Sequence, residues 1–362
     1  MQKIELSYAL AGQRSAQALI RNPLMDLLQA VQTCGSIAGA ARSLDLSYRH
    51  VWGELRRWET LLDQQLLIWE KGQKAVLSDF GLKLLWAERQ AQARLAPQIE
   101  ALRADLERTF AVAFDPHAHV MTLHASHDQA LLALRDHGLA SAQDKAHLDI
   151  RFTGSVDAIR DLNDGRCVLA GFHIPLQPRA GSLTEQVYKP LLQTGQHKLI
   201  GFAQRMLGLM VAPGNPLNIH RLQDLTLPDR RFVNRPQGSG TRVLLDEALA
   251  EAGLKTSALP GYARTEPSHT AVAQAVATGQ ADAGLGTALA AASRGLGFVP
   301  LMQEHYFLVC LKSALDTPAV QALLHTLQTA AWQEQLAALP GYSPWRSGDV
   351  LSLRRTLPWW TF

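Results

Sequence analysis

Long apolar runs are missing from this 362-residue chain. None reaches the roughly 20 residues that a membrane-spanning helix needs. The first 21 residues scatter Lys3, Glu5, Gln13 and Arg14 among their apolar positions, so the continuous apolar stretch of a secretory leader is missing too. The expectation is a cytoplasmic protein with no membrane partner. Cysteine is scarce: Cys34, Cys167 and Cys310 are far apart, odd in number and form no C-x-x-C pair. That speaks against a disulfide framework and a cysteine zinc site, and fits a reducing compartment. Excess charge of one sign is also lacking. A formal net charge of +3 makes no case for nucleic acid by itself, so any such case must rest on a motif.

The marks of common enzymes are absent as well. No G-x-S-x-G elbow occurs at a strand-to-helix turn. The loop around Gly238 lacks the lysine of a phosphate-binding G-x-x-x-x-G-K-[ST] loop. His117 and His119 have no partners at metal-ligand spacing. Ser126, His127 and Asp128 are the residue types of a hydrolytic triad, but consecutive side chains diverge and cannot form its relay. No catalytic residue, metal site or resident cofactor is therefore assigned, and an enzyme is kept only as an alternative. What the chain does have is a hydrophobic share of 47% and enough length for two or three folding units.

The N-terminal part reads as helices. Residues 22–31 place Leu24, Leu27, Leu28 and Val31 on one face, with Pro23 early. Ser36 is positioned to cap a short helix over 37–43, rich in Ala and Gly. After a turn at Leu44, Asp45 and Leu46, Ser47 is positioned to cap a longer helix over 48–62, with Val51, Trp52, Leu55 and Trp58 expected inside. Small residues let two helices cross closely and the short turn sets their angle, which is the pattern of a helix-turn-helix. An ordinary small bundle has the same helix pair. The strand-like runs 66–69 and 74–77 around Lys71-Gly72-Gln73 favour a winged motif, whose tip contacts phosphates. The DNA-facing candidates are Ser36, Ser47, Tyr48, Arg49 and His50 at the helix starts, and Lys71 and Lys74 on the wing. A long amphipathic helix over 79–108 then leaves an apolar stripe uncovered, which suggests pairing with a second copy.

Gly35-Ser36-Ile37-Ala38-Gly39-Ala40-Ala41, Leu46-Ser47-Tyr48-Arg49-His50-Val51-Trp52 and Leu77-Ser78-Asp79-Phe80-Gly81 resemble the DNA-binding domain of ModE-type, molybdate-responsive regulators, and are similar to the related LysR-type domains. The small oxyanion-binding modules that usually follow a ModE-type domain are not seen.

From about residue 117, strand-like and helix-like segments alternate, which predicts parallel sheets in two α/β lobes. Strands are expected at 120–125, 148–153, 167–172, 231–234, 281–285 and 307–311, with paired apolar runs at 198–202 and 207–211. Helices are expected at 127–137, 155–163, 241–252, 268–278 and 318–339. Ligands of such sheets bind beyond strand ends, at helix N-termini. Small polar residues recur at those points: Ser126, His127 and Asp128; Thr153, Gly154 and Ser155; His173; and Gly238, Ser239, Gly240 and Thr241. Any one of them also reads as a plain helix cap. Their recurrence favours an anion pocket, to which Arg235, Arg242 and His269 add charge.

Ser126-His127-Asp128, Gly171-Phe172-His173, the run from Asn234 to Arg242 and the run from Ser268 to Gly286 resemble periplasmic-binding-protein-like domains of the molybdate- and tungstate-binding kind. The resemblance implies a type II, two-lobed fold and an effector such as molybdate, tungstate or a related small anion. The alternative function is a ligand-binding protein for another small anion or for a molybdenum-cofactor compound. The reading is thus an α/β protein: a winged helix-turn-helix over 1–78, a linker and dimerisation helix over 79–115, a two-lobed effector domain over 116–345 and a tail over 346–362. Its expected partners are double-stranded DNA, the effector and one or more copies of itself.

Overall fold

The computed structural model describes residues 22–68, 75–114, 119–139 and 146–360. They form two compact units that part between Ala96 and Pro97.

In the first unit, Asn22 caps α1 (Pro23–Cys34) by accepting the Leu24 N–H at 3.1 Å. Ser36 caps α2 (Ile37–Ser43) and Ser47 caps α3 (Tyr48–Leu62), their hydroxyls accepting the Gly39 and His50 N–H groups at 3.0 and 3.1 Å. These caps satisfy N–H groups that a helix start leaves without partners, which is why the sequence reads so clearly here. β1 (Leu67–Ile68) and β2 (Val76–Leu77) pair antiparallel, with Leu67 opposite Leu77. The core gathers Leu24, Leu28, Val31, Ile37, Val51, Leu55 and Leu66. Trp52 departs from expectation: it is 41% exposed. The inward stripe runs through Val51 and Leu55, and Trp52, one residue on, is turned about 100° away from it. Lys71 and Lys74 lie outside the described residues. α4 (Asp79–Phe114) carries Pro97 in its interior, where the helix loses one N–H and the two units part.

The second unit is built on one nine-stranded sheet. In chain order it comprises β3 (His119–Ala125), α5 (Gln129–His137), β4 (Ala146–Phe152), α6 (Ser155–Asn163), β5 (Leu169–Pro175), α7 (Leu183–Tyr188), β6 (His197–Val211), β7 (Phe232–Val233), α8 (Gly240–Glu251), α9 (His269–Ala277), β8 (Ala283–Thr287), α10 (Ala288–Ala292), β9 (Gly297–Leu311), α11 (Pro318–Gln328), α12 (Ala330–Ala337), β10 (Tyr342–Pro344), β11 (Val350–Leu351) and α13 (Leu353–Thr356).

The sheet is mixed, not purely parallel. β3 pairs parallel with β4 and β5, and β7 with β8, but β6 and β9 pair antiparallel with each other and with β8 and β5. Strand–helix alternation predicts only the parallel pairs. The two 15-residue strands β6 and β9 cross from one lobe to the other, and their register slips between Gly201 and Ala203 and between Leu207 and Gly208. One lobe packs Met121, Leu123 and Ile150 on one face of the sheet, and Ile159, Phe172 and Phe307 on the other. The second lobe packs Leu209, Phe232 and Leu285 on one side, and Val233, Val272 and Ala291 on the other.

The helix over 318–339 is two helices, with Thr329 capping the second through the Trp332 N–H. The stretch 346–360 is no tail: β11 sits on the long β6 with Val350 opposite Ile200, and Leu353, Leu357 and Trp359 enter the core.

Candidate functional site

Four helix starts face the junction of the lobes. α5 begins at Asp128 and α6 at Gly154, both after strands of the first lobe; α8 begins at Ser239 and α9 at Ser268. Close contacts bring them together. The Val156 N–H donates to the Gly238 carbonyl at 3.2 Å, joining α6 to the loop before α8. A side chain at Gly154 would come within 2.9 Å of that carbonyl, and one at Gly240 within 2.8 Å of His173 Nδ1, so both glycines are required by the approach of the lobes. Ser126 and Ser155 hydroxyls lie 3.2 Å apart, and Thr241 Oγ1 is 3.3 Å from His269 Nε2.

The expected ligand residues therefore converge, but not all in the expected role. Ser126, His127, Ser155, His173, Arg235, Ser239, Thr241 and His269 are buried around the cleft. Thr153 and Gly154 line its mouth with Ser239. Gly238 takes a left-handed φ of 84°. Asp128 has both carboxylate oxygens in use: Oδ1 accepts the Ala130 N–H at 2.7 Å, and Oδ2 accepts from Tyr342 at 2.8 Å and from Arg205. It anchors the lobe instead of awaiting a ligand. Arg242 adds no free charge either. Its guanidinium lies 3.8 Å over the Tyr262 ring, faces Asp246 at 3.3 Å and donates to the Arg235 carbonyl at 3.2 Å. It braces the Arg235 loop.

Arg235 is the cation that remains. It is 3% exposed, and its Nε and Nη1 have no hydrogen-bond partner among the described residues. Burial, and then the nearby Arg205, lower its pKa to about 9, so it stays charged at neutral pH. The surrounding histidines are neutral. Burial, then Arg235, holds His127 down to about 4; burial, Arg205 and Arg235 keep His173 well below its ordinary range; burial and the same two arginines do so for His269. His173 Nδ1 and Nε2, His269 Nδ1 and the Tyr306 hydroxyl also lack partners among the described residues. Such a set of hydroxyls, neutral imidazoles and one uncompensated guanidinium suits a small anion, and among the described residues no group of three or more His, Cys, Asp or Glu side chains is placed to hold a metal ion.

Four residues of this region went unnoticed in the sequence: Arg205, Glu304, Tyr306 and Tyr342. Arg205 pairs with both Asp128 and Glu304, all three side chains being buried. Burial pushes Glu304 up to about 7 against the pull of Arg205. The available signal was a charged residue in the middle of each long apolar strand; Arg205 and Glu304 are cross-strand partners in the β6–β9 register.

At the other candidate surface, Tyr48, Arg49 and His50 are exposed in the first turn of α3, where no acidic residue occurs. Ser36 and Ser47 spend their hydroxyls on caps. The exposed Trp52 lies one turn beyond Tyr48 with the Arg56 guanidinium 5.7 Å over its ring, and extends the same face.

Residues 137–328, more than half of the chain, match the family described as PBP superfamily domain. The chain belongs to the PBP superfamily. Ahead of the PBP domain, residues 24–82 match the family described as bacterial regulatory helix-turn-helix protein, lysR family. The architecture is thus an N-terminal helix-turn-helix that matches the lysR-family model, followed by a two-lobed α/β PBP domain. The uncharacterized protein YvgK of Bacillus subtilis (strain 168) is 34% identical over 201 residues, which are 56% of this chain; the chain spans 64% of that relative's length. An uncharacterized protein encoded in the ferredoxin 2Fe-2S gene 5' region of Clostridium pasteurianum is 31% identical over 111 residues, 30% of this chain and 98% of its own length. Among solved structures, full-length BenM covers 87% of this chain and 96% of its own at 15% identity, with a TM-score of 0.42. No helix among the described residues is long and apolar enough to cross a membrane.

Proposed function

We propose that this protein is a cytoplasmic transcription regulator that binds DNA through α3 and responds to a small anion held between the lobes of its PBP domain. The observation that carries the reading is Arg235: a buried guanidinium with two nitrogens lacking protein partners, at the convergence of four helix starts. An uncompensated buried charge is costly unless something pairs with it, and helix N-termini favour negative charge. Molybdate and tungstate are the anions that the sequence resemblance implies. The lysR-family match over 24–82 supports the DNA-binding half. Trp86, Leu95, Leu102 and Phe110 stand exposed along α4 and support a homodimer or higher oligomer through that helix.

The test is a thermal-shift screen of the full chain with molybdate, tungstate, sulfate, phosphate and small carboxylates, followed by gel shifts on its own promoter region with each stabilising anion. The reading requires that an anion stabilises the wild type, that Arg235→Gln abolishes this, and that the same anion alters the gel shift. An anion that binds without altering the gel shift would reduce the domain to a binding module.

A further inference from the structure

Next to the cleft lies a cluster of buried charges that does not balance by itself. Arg205 on β6 is shared by two carboxylates, Asp128 at the start of α5 and Glu304 on β9, and all three side chains are at most 1% exposed. Asp128 is well supported, since it also accepts from the Ala130 N–H and the Tyr342 hydroxyl. Glu304 is not. Arg205 Nε donates to one of its oxygens, and Oε2 has no hydrogen-bond partner among the described residues. With both carboxylates ionised, the cluster carries one negative charge in excess.

The other titratable groups around Glu304 do not supply the missing charge. In the sheet, Glu304 lies opposite Arg205 on β6 and Pro175 on β5, with His173 two residues before that proline. His305 and Tyr306 follow it on β9, Tyr342 reaches Asp128 from β10, and Tyr188 on α7 is close enough to feel the Glu304 charge. Burial first of all holds His173 well below its ordinary range and His305 down to about 4, and raises all three tyrosines, so these groups are neutral at pH 7. The cation that restores the balance is Arg235. The Tyr306 ring connects the two regions: its centroid is 4.0 Å from that of His173 in the cleft and 5.6 Å from the Arg205 guanidinium. Two guanidiniums and two carboxylates then cancel within a buried region, where charges act on one another strongly.

An anion that pairs with Arg235 upsets this balance. Negative charge is then in excess, and a buried carboxylate short of partners is the group that gives way by neutralising. We propose that the anion of this cleft binds together with one proton, which Glu304 takes up from solvent at Oε2. The carboxylate becomes a carboxylic acid, no other bond changes, and Arg205 keeps Asp128 as its partner. The inference rests on the anion-binding reading above and adds a proton to its stoichiometry. Burial already holds Glu304 up at about 7, and the bound anion raises it further. Between these two values affinity falls as pH rises, by up to about tenfold per pH unit. Below the lower one Glu304 is protonated before the anion arrives, and affinity is flat. The cleft histidines, lowered as they are, take up protons only on the acid side of that window.

The experiment is calorimetric titration of the full-length protein with molybdate, tungstate and sulfate, in buffers of different ionisation enthalpy, at about pH 8 and about pH 6.5. The wild type takes up about half a proton or more per anion at the higher pH and much less at the lower, and binds roughly tenfold more tightly at the lower. Glu304→Gln takes up no proton and binds equally at both. At the higher pH the infrared difference spectrum of the wild type gains a protonated-carboxyl band on anion addition, and that of the variant does not. If the variant does not fold, the buffer series and the infrared band of the wild type decide alone. The proposal is overturned if the wild type binds without proton uptake, if uptake persists in Glu304→Gln, or if uptake grows toward acid pH as imidazoles would make it. The broader reading fails separately: in that case none of the three anions binds, or Arg235→Gln binds them all as before.

Discussion

Arg205 on β6 and Asp128 at the start of α5 form an ion pair in which neither side chain is more than 1% exposed. Asp128 does two jobs there, since it also caps α5 through the Ala130 N–H. Asparagine caps helices as well as aspartate does, so Asp128→Asn removes the charge and keeps the cap. Breaking a buried pair by removing one partner typically costs about 3–5 kcal/mol. Urea unfolding of Asp128→Asn should show a loss of that size, while Asp157→Asn, at the exposed start of α6, changes stability by less than about 0.5 kcal/mol. Equal losses in the two variants would mean that the pair contributes nothing beyond surface charge.

Stability should peak near neutral pH and fall on the acid side. His127 and His305 titrate at about 4 in the fold, and His173, His197 and His269 are also lowered, all chiefly by burial. The unfolded chain protonates these groups near 6.5. Below that pH the unfolded state binds more protons, so stability drops by up to about 1.4 kcal/mol per pH unit for each histidine. Glu304 acts in the opposite sense. Its folded pKa of about 7 lies above its unfolded value, so its contribution is complete below about 4.5 and disappears as pH rises through 7. Between 4.5 and 6.5 the five histidines outweigh the single glutamate. Denaturation midpoints from pH 4 to 8 check this, and a flat or inverted acid limb would sink it.

Much of this was legible because helix starts announce themselves. Ser36, Ser47, Asp128, Ser239 and Ser268 all cap helices, and Gly154 begins one, so the ends of the elements that meet at the cleft could be placed. The crossing strands could not. β6 reads as two runs because Gln204 and Arg205 interrupt its apolar residues, and β9 was recognised only over its last five. The residues that broke the pattern are those of the buried network: Arg205 and Glu304 sit mid-strand because each finds a partner 99 positions away in sequence. Periodicity carries no trace of such pairing. Trp52 was misplaced for a simpler reason: an aromatic beside a core position looks apolar whichever way it faces.

DNA binding divides into two kinds of contact. Tyr48, at 51% exposure, with Arg49 and His50, is free to reach base edges from the start of α3. Arg49→Ala should cost about 1–3 kcal/mol at the specific operator and little on unrelated DNA. Trp52→Ala should weaken the same site, because Trp52 continues that face one turn on. Charge removal at Lys71 or Lys74 should weaken all sequences alike and lower the salt slope by about one per phosphate contact. Fluorescence anisotropy on operator and scrambled duplexes at several salt concentrations separates the two, and an Arg49→Ala protein with unchanged operator affinity would remove α3 from the interface.

Ligand and DNA are expected to act on one equilibrium. An anion shifts the closed form only by its differential affinity for closed over open. The lobes meet through the Val156–Gly238 hydrogen bond and the close approach of Gly240 to His173, so an anion bound between these elements should favour the form in which they are joined. Couplings of this kind are typically about 1–3 kcal/mol, roughly 5–150-fold in DNA affinity. By linkage, operator DNA must change anion affinity by the same factor. Arg235→Gln removes the charge that pairs with the anion and also a buried charge without protein partners. The variant should therefore be more stable than wild type in anion-free buffer, by about 0.5–2 kcal/mol, bind DNA as anion-free wild type does, and lose the anion's effect on DNA. Arg242→Ala should act differently. It leaves Arg235 charged but frees its loop, so anion binding weakens without disappearing. The decisive measurement is an anion titration with and without operator DNA on the wild type and both variants. Wild-type anion affinities that agree in the two conditions would show that the cleft and the DNA-binding helix are uncoupled.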